Sequence, residues 1–162
     1  MRADRLAILA AWLLVVAVVG YTVAGFERTL RDGQLVLLEL APVDPRSLMQ
    51  GDYMALRFAV DTQLPRQGDA PRYAHLHQGA EGRAVLAGTG DQLSTEAGVI
   101  SMRIRRGRWG ASIGPDAFFF QEGTADVYEQ ARWGGFRVAE DGTALLVALY
   151  DENLQLLGSN RR

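Results

Sequence analysis

Cysteine is absent from this sequence, and so is lysine: all 17 basic residues are arginine. Without thiols the chain has no disulfide, no thiolate zinc site and no cysteine nucleophile. Without lysine it lacks Schiff-base chemistry, a phosphate-loop lysine and any serine–lysine dyad. Net charge is scarce too. The formal value of −2 gives no basic excess to attract a polyanion, so no nucleic-acid partner is expected. No cofactor is expected either.

What the sequence does have is one long apolar run, LAILAAWLLVVAVVGYTVAGF, over residues 6–26 with no charged residue in it. As a helix these 21 residues reach roughly 31 Å, the thickness of a bilayer's hydrocarbon core. Trp12 and Tyr21 lie towards its two ends, where interfacial aromatics belong. Arg2 and Arg5 precede the run, and Glu27, Arg28, Arg31 and Asp32 follow it. A short N-terminal tail before a large C-terminal domain favours a retained signal-anchor with the domain exported. The expected layout is a cytoplasmic tail at 1–5, a transmembrane anchor at 6–26, and a domain at 33–162. The expected location is the bacterial inner membrane, single-pass, with the domain in the periplasm. The alternative is a cleaved signal peptide, for which the small residues of TVA, ending at Ala24, offer a site.

Beyond the anchor the texture is that of strands and turns. QLVLLEL (34–40) predicts a mostly buried strand, and YMALRFAV (53–60) alternates as a half-buried one should. DTQLPRQGDAP (61–71) reads as a loop. RYAHLHQ and RAVLAGT form a strand pair joined through GAEG, and GVISMRIRR (98–106) predicts one further strand. DAFFFQEG holds a short aromatic strand. TADVYEQARW predicts the one helix outside the membrane, with Thr124 as N-cap and Asp126 in its first turn. FRVAEDGTALLVALYD predicts a hairpin turning at Asp141-Gly142. The fold class is mainly β, a β-rich α+β extracytoplasmic domain with one N-terminal transmembrane helix.

The densest punctuation is PVDPRSLMQGDYMALRF, residues 42–58. Asp44 suits a helical N-cap, Pro45 the first helical position, and Gly51 the left-handed residue that ends the turn. Arg46 lies within reach of Asp44 and Asp52 and would hold such an elbow shut. Gly51, Asp52, Tyr53 and Leu56, with Phe58 in place of the final tyrosine, resemble the motif of the bacterial GDYXXLXY-domain family. PVDPR before it and FFFQEGTADVYE after it are similar to that family's pattern. The resemblance implies a membrane-anchored protein with no assigned reaction.

Other side chains are weighed as sites of chemistry. Glu122 and Gly123 sit where strand, turn and helix meet. His75 and His77 share one face of a strand and are weak metal candidates, with no third ligand evident; no metal site is assigned. Arg103, Arg105, Arg108 and Trp109 form a basic hairpin tip, a candidate binding surface for lipid phosphate or an acidic partner, or else a charged, solvated edge. No catalytic residue is assigned. The expected function is a membrane-anchored extracytoplasmic accessory or interaction protein of the bacterial envelope, with the inner membrane and another membrane protein as partners. Ala17, Gly20 and Ala24 line one helix face at which such a partner helix would approach. The alternative is a small-ligand or glycan-binding domain, and after that a hydrolase.

Overall fold

A computed structural model describes residues 2–41, 49–50, 53–65, 71–107 and 110–159. Helix α1 (Arg2–Asp32) is continuous and 31 residues long, so it reaches about 46 Å. Its apolar stretch is wholly exposed to the surroundings, and it is long and apolar enough to cross a membrane. The helix extends well past the charge-free run and enters the domain with no linker. The Gly33 N–H still donates to the Thr29 carbonyl at 2.9 Å, and the Thr29 hydroxyl bonds back to Gly25 at 3.1 Å. A Cβ at position 33 would lie 2.4 Å from that Thr29 oxygen and 3.1 Å from the Val138 nitrogen, so only glycine fits the junction. Arg137 closes it by donating to the Gly33 carbonyl at 2.8 Å.

The strands β1 (Gln34–Glu39), β10 (Trp133–Val138), β11 (Ala144–Tyr150) and β12 (Leu156–Ser159) form an antiparallel sheet in that order. Thus the first strand pairs with one from the far end of the chain, in the register Gln34 to Val138 through Glu39 to Trp133. A second sheet runs β2 (Met49–Gln50), β3 (Tyr53–Ala55), β9 (Ala117–Phe119), and a third β5 (Ala84–Gly90), β4 (Tyr73–Gln78), β6 (Val99–Arg103). β7 (Arg105–Gly107) and β8 (Gly110–Ser112) make a separate hairpin. Bridges from Leu37 to Arg83 and from Leu40 to Phe58 tie β1 to its neighbours. One core lies between them, with Val36, Leu38, Phe58, Leu76, Met102, Phe136 and Leu149 fully buried.

The mainly β reading holds, and several boundaries move. In YMALRFAV the alternation is real: Met54, Leu56, Phe58 and Val60 are all buried. Yet the ladder stops at Ala55, and residues Ala59–Gln63 form a 3-10 turn, because the Asp61 carboxylate accepts the Phe58 N–H at 3.3 Å and folds the chain back. GVISMRIRR is two strands, broken at Ile104, whose N–H turns to the Arg72 carbonyl at 2.8 Å. The helix expected in TADVYEQARW shrinks to one turn, α2 (Ala125–Tyr128). Thr124 does not cap it: its hydroxyl donates backwards to the Gln121 carbonyl at 2.6 Å. The β10–β11 hairpin has a three-residue loop, since the Ala139 N–H bonds to Thr143, with Gly142 left-handed at φ 84°. Strands β2 and β12 were not expected.

Candidate functional site

Two places combine chemistry with exposure: the outer face of the β3–β9 pair, and a cleft around Asp61. Along β3, successive side chains point to opposite faces. Met54 faces inward opposite Phe118 across the ladder, and both are buried. Tyr53 faces the other way, opposite Phe119, with ring centroids 5.7 Å apart. Phe119 is 70% exposed, an unusual position for a phenylalanine that makes no concession to the core. Inside, Phe118 packs on Tyr128 at 5.4 Å and Phe120 stacks on the same ring at 4.9 Å.

Leu56 and Phe58 continue the motif into the core. Phe58 is fully buried, meets Phe136 edge-on at 5.2 Å, and packs closely against two glycines. A Cβ at Gly114 would fall 2.1 Å from its Cε2, and one at Gly134 would fall 2.9 Å from its Cε1. The last motif position is therefore a packing element held between two bare backbones. Its ring needs no hydroxyl.

Asp61 sits where the 3-10 turn meets the end of β8. Its Oδ1 accepts the Ile113 N–H at 3.0 Å, and its Oδ2 accepts the Ser112 hydroxyl at 3.0 Å as well as the Phe58 N–H. Burial pushes the carboxyl above the ordinary aspartate range, opposed by the three donors and by the charge of Arg57. The adjoining cleft, about 230 Å³, is lined by Leu56, Arg57, Asp61, Leu64, Ser112 and Asp116. Its polar groups are turned on each other. Ser112 also accepts the Gly114 N–H at 3.3 Å, and no imidazole is among its hydrogen-bond partners within the described residues. The arrangement clamps two segments more than 50 residues apart and offers no activated nucleophile. The sequence held one sign of it: Asp61 follows Phe58 by three residues, the spacing at which a carboxylate reaches back to a backbone N–H.

The remaining expected residues scatter. Asp44, Pro45, Arg46, Gly51 and Asp52 lie outside the described residues, as do Arg108 and Trp109. Glu122 and Gly123 form an exposed turn in which Gly123 is left-handed at φ 81°. Arg103 reaches back to Asp141, with Nη2 at 2.9 Å from Oδ2 and Nε at 3.1 Å from the carbonyl oxygen. Arg105 donates to the Gly114 carbonyl. Both guanidiniums thus hold loops of their own chain. His75 hydrogen-bonds Ser101 Oγ at 3.0 Å, and His77 is exposed. Among the described residues no three His, Asp or Glu side chains gather as a metal would need. Glu81, the acid in the turn after β4, pairs with Arg83 at 3.1 Å.

A family model, GDYXXLXY protein, matches residues 15–149. Neither a curated protein nor a solved structure matches.

Proposed function

The chain belongs to the GDYXXLXY family, and from that premise we propose that it is a membrane-anchored accessory protein whose β-rich domain docks another membrane protein outside the cytoplasm. In this reading residues 1–5 are the cytoplasmic tail, 6–26 cross the inner membrane, and 33–162 are the exported domain. The observation that carries the docking role is the Tyr53–Phe119 pair, an aromatic surface on a sheet whose other face is core. A binding module would instead present convergent polar groups in a pocket. At the Asp61 cleft, Asp61 and Ser112 already satisfy each other, so that cleft offers a ligand no convergent free polar groups.

Linker-free entry of α1 into β1 supports the same reading. It holds the domain at a fixed height and bearing on the membrane, as a docking face requires. Purification in mild detergent tests it. Phe119→Ser removes exposed apolar area without touching the core, so the variant should keep its unfolding midpoint and lose the protein that co-purifies with the unaltered chain. Equal recovery of that protein would rule out this face.

A further inference from the structure

The membrane end of the domain is not flush with the helix. The last turns of α1 and the β10–β11 turn enclose a half-open cavity of about 770 Å³. One wall runs from Tyr21 to Gly33 and the other from Val138 to Thr143. On the helix side it passes from the end of the charge-free run to the first charged turn, the level at which a bilayer changes from acyl chain to headgroup. In a membrane-anchored chain such a space opens beside the lipid headgroups and has room for one.

The charges facing it select which lipid. Asp32 is taken by Arg31, with contacts at 2.9 and 3.1 Å. Asp141 is taken by Arg103 and by Thr143, whose N–H and hydroxyl both donate at 2.9 Å. Two groups make no close ion pair among the described residues, both of them exposed: Arg28 on the helix wall, whose charge acts on Asp32 only from a distance, and Glu140 on the turn. One cation and one anion on opposite walls match a zwitterion. A phosphate accepts charge-assisted hydrogen bonds from a guanidinium, and a primary ammonium donates them to a carboxylate. A quaternary ammonium has no N–H to donate, and a glycerol headgroup has no cation.

We propose that this junction cavity binds the headgroup of an amine-bearing phospholipid, a phosphatidylethanolamine, with its phosphate on Arg28 and its ammonium on Glu140. The inference rests on the reading of α1 as a membrane anchor. The test uses the full chain reconstituted into vesicles containing equal phosphatidylethanolamine, phosphatidylcholine and phosphatidylglycerol, extracted gently and weighed with its bound lipid by native mass spectrometry. Phosphatidylethanolamine should be retained about tenfold over either competitor, a ratio within reach of one charge-assisted hydrogen bond. Glu140→Gln should erase the preference over phosphatidylcholine. Glu140→Lys should turn it towards phosphatidylglycerol, and Arg28→Gln should lower retention of all three. Equal retention by the unaltered chain, or a preference that survives Glu140→Gln, overturns the proposal. Flotation with vesicles separates the two readings: a chain that floats without preference refutes the headgroup site alone, whereas one that does not float refutes the anchor and the site with it.

Discussion

Replacing Asp61 with alanine removes the one acceptor shared by the 3-10 turn and the end of β8. The Phe58 and Ile113 N–H groups lose their partner, while the Ser112 hydroxyl can turn to the Gly114 carbonyl 3.2 Å away. Two orphaned donors at about 1–3 kcal/mol each, with water reaching a half-buried site, give an expected loss of about 2–4 kcal/mol. Asp61→Asn should lose about half as much, because its carbonyl can keep Ile113 while its amide meets the Phe58 N–H donor to donor. Urea unfolding of the full chain in micelles, followed by tryptophan fluorescence, measures both. The pH dependence has a definite sign. The folded carboxyl titrates above the ordinary value near 3.8, so between the two values the folded chain binds more protons than the unfolded one. The contribution of Asp61 is then full below the unfolded value and is lost as pH rises through the raised one. The stability of the unaltered chain relative to Asp61→Asn should therefore increase on acidification through that window. A loss under about 0.5 kcal/mol for Asp61→Ala, the range of an ordinary surface change, would refute the clamp; a gap that shrinks on acidification would show that the three donors outweigh burial at this carboxyl.

Gly114→Ala should cost about 3 kcal/mol by overpacking, because Phe58 cannot retreat from the new methyl without striking Gly134; Phe58→Leu in the same chain should recover part of the loss, read from the same unfolding curves. Arg103→Ala removes an exposed ion pair and should cost only about 0.2–1 kcal/mol. In the intact chain partial burial alone would raise the Asp141 carboxyl, but hydrogen bonds from Thr143 and the charge of Arg103 outweigh it and hold the group below its usual range. Arg103→Ala should move that titration upward by NMR; unchanged titration, with loss of a partner, would make Arg103 a binding residue instead.

Those effects also show where local sequence informs and where it does not. The alternation of Met54, Leu56, Phe58 and Val60 told which side chains are buried, because period 2 survives even where the ladder lapses. It could not tell that the strand ends at Ala55, since the cause is Asp61, whose other partners are more than 50 residues away. The Asp141-Gly142 hairpin was legible because its turn chemistry is local. Strand β12 was not: Leu156 and Leu157 follow a turn in which Leu154 is left-handed at φ 61°, and only the edge of β11 gives them a ladder. Arginines 103 and 105 read as a free basic surface for the same reason. Asp141 becomes a neighbour of Arg103 only through tertiary folding, while Arg105 meets Gly114 just past the end of its own short hairpin. The glycines at 33, 114 and 134 likewise gain their meaning from what folds against them.

The central claim, an anchored domain held outside the cytoplasm, has a direct test because the chain contains no cysteine. Ser159→Cys places one thiol at the exposed end of β12. In spheroplasts with an intact inner membrane, a membrane-impermeant maleimide should label it, and the labelled chain should stay with the membrane fraction. Labelling that appears only after the inner membrane is lysed, or a labelled chain recovered in the soluble fraction, would contradict the account.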